Sequence, residues 1–98
     1  MTAYRVRYTP EAAGRIRKLH PEVKQEIRQA TRMFQDAPLT GHPLQQELAG
    51  FRSFRVRTYR IIYRLNDDER MIDVVFVGQR RNVYEELLAL VRKSASRN

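Results

Sequence analysis

Residues 51–65 read FRSFRVRTYRIIYRL, and this stretch decides the fold. Aromatic and β-branched residues alternate with arginine on both sides of Thr58, and this alternation is typical of half-buried β-strands. We therefore predict two strands, over Phe51–Arg57 and Tyr59–Leu65. Because almost nothing separates them, they form a tight antiparallel hairpin near Thr58, although no Gly or Asn marks the turn.

The residues after the hairpin predict one more strand and a helix. Residues 66–69 (NDDE) form a turn, and the apolar run Met71–Val77 is a short strand. Asn82 followed by Glu85 resembles a capping box, which begins a closing helix. The buried face of that helix has apolar residues at helical spacing, namely Val83, Leu87, Leu90 and Val91. Residues 94–98 are expected to form a frayed tail.

The residues before the hairpin predict a strand and a helical pair. Tyr4–Thr9 alternates like a strand, and Thr9 then caps a helix that has Pro10 at its first position. A second helix begins at Pro21 and ends before the loop Pro38–Gly50, which contains prolines and glycines and shows little periodicity. The apolar residues of the second helix recur at helical spacing, namely Val23, Ile27, Ala30 and Phe34.

The predicted element order is β-α-α-β-β-β-α, which defines an α+β fold with a mostly antiparallel four-stranded sheet. Consecutive strands joined by tight turns must be antiparallel, so a doubly wound parallel sheet is excluded. We expect the helices to pack on one face of the sheet and to leave the other face exposed. Residues 1–98 are expected to form one domain, because the chain is too short for a second.

Net charge is the first indication of function. The chain has 19 basic and 11 acidic residues, a formal net charge of +8, and 16 of the basic residues are arginine. The arginine guanidinium binds phosphate in a planar, bidentate way and stays charged wherever it lies. A polyanionic partner is favoured over a plain solvated surface. The sequence has no cysteine, no apolar leader and no membrane-spanning run, so we expect a cytoplasmic protein with no membrane partner.

The arginines concentrate around the hairpin. Five arginines and no acidic residue occur between Arg52 and Arg64. Strand alternation predicts that Arg55 and Arg57 share one sheet face and that Arg60 and Arg64 share a face of the next strand. Two further arginines and a tyrosine follow the last strand, namely Arg80, Arg81 and Tyr84. Such a face suits single-stranded nucleic acid, with charge for phosphates and a ring for stacking, although solvated arginines and a packed tyrosine remain the alternative.

Two segments resemble the signatures of the RelE–ParE toxin superfamily. The run 48–63 (LAGFRSFRVRTYRIIY) resembles its central motif, and 77–84 (VGQRRNVY) resembles its C-terminal motif. The resemblance implies a compact toxin with helices packed on a mostly antiparallel sheet, inhibited by a co-expressed antitoxin. RelE-like members cut messenger RNA in the ribosomal A site, whereas ParE-like members poison DNA gyrase.

The resemblance also implies roles for individual residues. Arg60 falls on a phosphate-binding arginine, Arg80 on a second essential arginine, and Tyr84 on a tyrosine that stacks with or protonates the substrate. Arg55 and Arg57 fall where RelE-like toxins have catalytic lysines. Because arginine does not lose its proton in proteins, neither of these two is a credible general base. Binding of flanking phosphates is the expected role of the remaining arginines, namely Arg52, Arg55, Arg57, Arg64 and Arg81.

The implied reaction is attack of a ribose 2′-hydroxyl on the adjacent phosphate, which makes the chain a metal-independent endoribonuclease. Fixed guanidinium groups stabilise the charge that develops on the phosphate. His20 and His42 are predicted to stand apart from the arginine cluster, so the ribosome is expected to assist by ordering the RNA. We expect no metal site and no cofactor, because no helix presents paired ligands.

The leading hypothesis is therefore a toxin that cleaves messenger RNA on the ribosome and inhibits translation. The alternatives are a non-enzymatic gyrase poison of the ParE type and a plain RNA- or DNA-binding module. Arg80 and Tyr84 favour the nuclease, since a poison needs no such site. The expected partners are messenger RNA, the ribosome and an acidic, partly disordered antitoxin, with operator DNA bound only by the toxin–antitoxin complex.

Overall fold

The computed structural model describes residues 4–95, which form a five-stranded sheet and three α-helices. The elements in chain order are β1 (Arg5–Tyr8), α1 (Pro10–Arg17), α2 (Pro21–Asp36), β2 (His42–Pro43), β3 (Phe51–Val56), β4 (Tyr59–Asn66), β5 (Met71–Gln79) and α3 (Val83–Ala95). The strand order is β1-β5-β4-β3-β2, with β1 parallel to β5 and all other neighbours antiparallel. The predicted α+β class is confirmed.

The sheet has one strand more than predicted. The extra strand, β2, lies within the segment Pro38–Gly50 that was predicted as a loop, and its two residues pair with Arg52 and Ser53 of β3. Such a short strand has no detectable alternation of its own. Its pairing depends on the exposed edge of β3, which is a tertiary feature.

The first two helices begin as the sequence predicts. The Thr9 side chain accepts a hydrogen bond from the Ala12 backbone N–H at 3.2 Å, and Pro10 occupies the first turn of α1. His20 caps α2 in a similar way, because its Nδ1 accepts from the Glu22 N–H at 3.1 Å. Within residues 4–95 no helix is both long and apolar enough to cross a membrane.

The main core lies between one sheet face and the pair α1–α2. Phe34 of α2 is fully buried and stacks on Tyr63 of β4 with ring centroids 4.1 Å apart, while Phe54 of β3 meets Phe34 edge-on at 5.4 Å. These rings place α2 across the hairpin. Phe54 and Tyr63 therefore lie on the sheet face that α1 and α2 cover.

The opposite sheet face is also covered, so the prediction that all helices pack on one face is wrong. Val83 and Leu87 of α3 pack against Ile62 of β4 and Phe76 of β5 in a second apolar cluster. Three consecutive residues of β4 are fully buried, namely Ile61, Ile62 and Tyr63. Because neighbouring residues of a strand point to opposite faces, Ile62 needs its own cover, and α3 provides it.

The end of α3 differs from the predicted frayed tail. The helix continues through Ala95, so positions 94 and 95 are helical. Residues 96–98 of the predicted tail lie outside the described part of the chain.

Candidate functional site

Ser53 lies at the centre of a polar site on the sheet face that carries α3. It is 1% exposed, and it pairs with Ile62 across the hairpin, so its side chain is on the α3 face. The Ser53 Oγ accepts a hydrogen bond from the Tyr84 hydroxyl at 3.1 Å and one from Arg60 Nη1 at 3.5 Å. Ser53 therefore connects two of the three side chains for which a chemical role was predicted, Arg60 and Tyr84.

Arg60 is the arginine most enclosed by this site. It lies directly opposite Arg55 on β3 and opposite Gly78 on β5. Its side chain is half-buried, and its Nε is buried without a hydrogen-bond partner within the described residues. An unpaired guanidinium N–H costs free energy that a bound anion can offset, so Arg60 is suited to bind phosphate.

Gly78 keeps the space beside Arg60 free of a side chain. A Cβ at this position would lie 3.0 Å from Phe76 Cε2 and 3.5 Å from Val83 Cγ2. The first of these contacts is tighter than most Cβ contacts in proteins, so a larger residue would require the Phe76 ring to shift. Close packing against Phe76 thus explains why the C-terminal motif has a glycine at position 78.

The arginines around Ser53 are not neutralised. Within residues 4–95 no acidic side chain lies within 4.0 Å of the guanidinium groups of Arg55, Arg60, Arg80 or Arg81. Other arginines form ion pairs, for example Arg92 with Glu47, where the pair holds the pKa of the glutamate below its usual range. These arginines without ion pairs give the region an uncompensated positive charge, which attracts phosphate.

A backbone hydrogen bond joins the turn between β5 and α3 to the β3–β4 hairpin. The Arg80 N–H donates a hydrogen bond to the Thr58 carbonyl at 2.6 Å. Arg80 and Arg81 both have exposed side chains in the turn between β5 and α3. The same turn leads into Tyr84, whose side chain is 37% exposed. Tyr84 therefore has its hydroxyl on Ser53 and part of its ring open to solvent.

Arg57 does not belong to this site, and its predicted place on a strand face beside Arg55 is wrong. The strand ends at Val56, and Arg57 lies in the two-residue turn with φ 56°, a left-handed conformation that is uncommon outside glycine. Its guanidinium binds Glu26 of α2, with Nη2 and Oε2 2.7 Å apart, and lies 3.7 Å from Glu22. The hydrogen bond to Glu26 raises the pKa of Arg57.

Arg52 lies on the other sheet face. It pairs with Tyr63 across the hairpin, and its Nη1 donates to the carbonyls of Gly41 at 2.7 Å and Leu39 at 3.3 Å. These contacts attach the 38–50 segment to β3. Arg52 therefore has a structural role and lies on the sheet face that α2 covers.

Arg64 shares the α3 face with Arg60 but lies away from it. The four-residue separation along β4 puts the two Cα atoms about 13 Å apart, with Ile62 and its α3 cover between them. The Arg64 guanidinium lies 5.9 Å from the centre of the Phe51 ring. The structure thus places Arg55, Arg60 and Tyr84 around Ser53 and puts Arg80 and Arg81 in the turn that leads into α3. It leaves out Arg52, Arg57 and Arg64.

Sequence reasoning missed Ser53 and misplaced His42. Residue His42 of β2 pairs directly with Ser53, and residues paired in this way point to the same face, so His42 joins the α3 face beside the arginine cluster. The prediction that it stands apart is wrong. His20 does stand apart, as the cap of α2. The alternation of Phe51, Ser53 and Arg55 on one face was the available signal for Ser53.

Buried contacts fix the backbone next to His42. The Gly41 N–H donates to the Tyr63 hydroxyl at 2.7 Å, and that hydroxyl donates to the Pro38 carbonyl at 2.9 Å. Burial raises the pKa of Tyr63, so the phenol remains a neutral donor. The start of the 38–50 segment is therefore tied to the main core.

The fold and site together define a small basic α+β protein with an uncompensated arginine cluster around a serine–tyrosine pair. Among residues 4–95 no three His, Asp or Glu side chains are grouped so as to hold a metal ion. Guanidinium groups without counter-ions, an aromatic ring and a hydroxyl are the chemistry of a phosphodiester-binding surface.

Comparisons with known proteins agree with this class. Residues 6–84 match the ParE toxin family of the type II toxin–antitoxin system parDE. The chain is 35% identical to the toxin RelG of Mycobacterium tuberculosis over 83 residues, which are 83% of this chain and 95% of RelG. The chain belongs to the RelE–ParE superfamily of type II toxins.

Solved structures show the same fold. The RelBE2 toxin–antitoxin complex of Mycobacterium tuberculosis contains a chain of 35% identity, with a TM-score of 0.72 over 80% of this chain and 99% of that one. A mutant of the E. coli toxin RelE in the free state gives a TM-score of 0.76 at 18% identity, covering 94% and 98% of the two chains. The predicted RelE-like fold is therefore confirmed.

Proposed function

We propose that this chain is a toxin that cleaves messenger RNA on the ribosome and so inhibits translation. The observation that carries the proposal is Arg60, a half-buried guanidinium that shares Ser53 with Tyr84 and has an unpaired, buried Nε. Such a group is held in place before the substrate arrives. Preorganised donors of this kind stabilise the charge that develops on a phosphate in the transition state.

Each residue of the site has a role in this reaction. Arg60 and Arg80 would bind the phosphate under attack, while the exposed arginines Arg55 and Arg81 would bind flanking phosphates. The exposed part of the Tyr84 ring would stack on a base. Base stacking contributes about 1–3 kcal/mol per base and needs no particular sequence.

The ribosome would contribute alignment. The arginine cluster binds phosphate, but its guanidinium groups do not take up a proton near neutral pH, so binding to them does not by itself make free RNA a good substrate. Cleavage requires the 2′-hydroxyl, the phosphorus and the leaving 5′-oxygen to lie in line. Holding reacting groups in such geometry lowers the barrier by several kcal/mol, up to about 7–11.

An antitoxin is the proposed regulatory partner. The related toxin of Mycobacterium tuberculosis was solved in a toxin–antitoxin complex. With a formal net charge of +8, this chain suits an acidic, partly disordered partner in the cytoplasm that gains charge complementarity on binding. Operator DNA would be bound by the complex of the two proteins.

Poisoning of DNA gyrase is the second candidate, because the matching family profile is that of ParE toxins. Primer extension on a defined message, with and without translating ribosomes, distinguishes the two when a gyrase supercoiling reaction is run with the same protein. Ribosome-dependent cuts with active gyrase support the proposed nuclease. Inhibited gyrase with an intact message overturns it, and Arg55 and Arg60 would then belong to a binding surface.

A further inference from the structure

We infer that His42 accepts the proton of the attacking 2′-hydroxyl, an inference that rests on the proposed nuclease function. The starting observation is the sheet register, in which His42 lies directly opposite Ser53. Ser53 in turn binds Arg60 and Tyr84. An imidazole is thus placed on the same face as the three groups proposed to bind the substrate.

The distances suit direct action on a bound nucleotide. Paired residues of antiparallel strands have Cβ atoms about 4.5–5.5 Å apart, so the imidazole of His42 lies beside the Ser53 side chain. Ser53 is buried, whereas His42 is exposed at the edge of the sheet. A phosphodiester bound across Arg60 and Ser53 would therefore extend towards the edge strand that carries His42.

The backbone beside His42 is held more firmly than that of an ordinary edge loop. Gly41, the preceding residue, donates to the buried Tyr63 hydroxyl and accepts from Arg52. A side chain at position 41 would collide with Tyr63, because a Cβ there lies 2.6 Å from the phenol oxygen. Two independent contacts thus fix the strand that presents the imidazole.

No other group of the site is suited to accept the proton of the 2′-hydroxyl. Guanidinium groups have no acceptor and stay protonated, and the hydroxyls of serine and tyrosine are weak bases. Imidazole accepts a proton near neutral pH more readily than any other side chain. His42 pairs with Ser53 of β3, which binds Arg60 of β4 and Tyr84 of α3, and Arg55 lies two residues further along β3 on the same face. The nearby acid Glu47 is engaged by Arg92.

The neutral imidazole takes the proton of the 2′-hydroxyl while the 2′-oxygen forms a bond to phosphorus. The bond from phosphorus to the 5′-oxygen breaks, and the leaving oxygen takes a proton from water. The products are a 2′,3′-cyclic phosphate and a 5′-hydroxyl, and the imidazolium then returns its proton to solvent.

His42→Gln and His42→Ala test the inference in a single-turnover ribosome cleavage assay. His20→Asn is the matched control, because it removes the other histidine and keeps a residue that caps α2. We expect His42→Gln to lower the cleavage rate about 100-fold or more, as for loss of a general base. Added imidazole should restore part of the rate of His42→Ala, and His20→Asn should cleave like the parent protein.

The pH dependence separates chemistry from structure. The cleavage rate of the parent protein should depend on pH in a way that is absent from His42→Gln. Thermal unfolding of each variant by circular dichroism checks that the fold is intact. A folded His42→Gln that cleaves at the parental rate with the parental pH profile overturns the inference and leaves the nuclease proposal standing. A parent protein that cuts no message overturns both.

Discussion

The hydroxyl of Tyr84 lies 3.1 Å from Ser53 Oγ, and this hydrogen bond joins the first turn of α3 to the middle of β3. The two residues are 31 positions apart, and they meet because α3 packs on the sheet face to which Ser53 points. The contact fixes the Tyr84 ring and leaves Arg60 as the second donor to the same oxygen. The site is therefore a connected unit.

Ser53→Ala should be at least as slow as Tyr84→Phe, because both changes remove the hydrogen bond between these residues and Ser53→Ala also removes the one from Arg60. A bond of this kind contributes about 0.5–1.5 kcal/mol, so each change should lower the ribosomal cleavage rate by about tenfold or less. The double variant should be no slower than the slower single one, as expected for coupled neighbours. Independent, multiplicative losses would show that the Tyr84 hydroxyl acts on the substrate.

Tyr84→Ala should be slower than Tyr84→Phe, because alanine also removes the ring. If the ring stacks on a base, the additional loss corresponds to about 1–3 kcal/mol. RNA binding by fluorescence anisotropy, with a 2′-O-methyl oligonucleotide that cannot be cleaved, measures this difference without turnover. Equal affinities of the two variants would exclude stacking.

Arg60→Ala and Arg80→Ala should each reduce cleavage by about 100- to 1,000-fold, the range for loss of one transition-state donor. Arg28→Ala is the control, since it removes one positive charge from an exposed position of α2 and touches no residue of the site. Growth of cells that express each toxin variant gives a second measurement. A folded Arg60→Ala variant that stays fully toxic contradicts the assigned site.

RNA affinity should depend on salt with a slope set by the four arginines of the site that lack ion pairs, namely Arg55, Arg60, Arg80 and Arg81. Four phosphate contacts give a log–log slope of about −2.8, from about −0.7 per contact on a single strand. Arg55→Ala should reduce the magnitude of the slope by about 0.7. Arg57→Ala should leave it nearly unchanged, because Glu26 already binds this guanidinium. An equal change in the salt slope of both variants would show that Arg57 also binds RNA phosphate.

Glu26 should stabilise the fold in a pH-dependent way. The hydrogen bond from Arg57 lowers the pKa of Glu26 from its ordinary value of 4.5. The stabilisation is therefore present above about pH 4.5 and is lost as the pH falls through the lowered value. Thermal unfolding should show the parent protein more stable than Glu26→Gln at pH 7, with a difference that becomes smaller as the pH falls below 4.5. A difference that does not change with pH would contradict the ion pair.

The sequence by itself determined the local elements and the superfamily. Alternation of arginine with aromatic and β-branched residues specified the β3–β4 hairpin, because side chains of a strand alternate whatever the strand packs against. The caps of α1 and the prolines of both first helices likewise act over a few residues. These signals are local, so they can be recognised in the sequence without a structure.

Tertiary structure alone decided which residues form the site. Arg57 follows the alternation of β3 in sequence, but the turn conformation and Glu26 take it to α2. His42 carries no pattern that relates it to Ser53, and their pairing depends on the edge of a sheet assembled from distant segments. The burial of Ser53 likewise depends on α3. These contacts arise from strand register and from packing, and both depend on residues that are far apart in the chain.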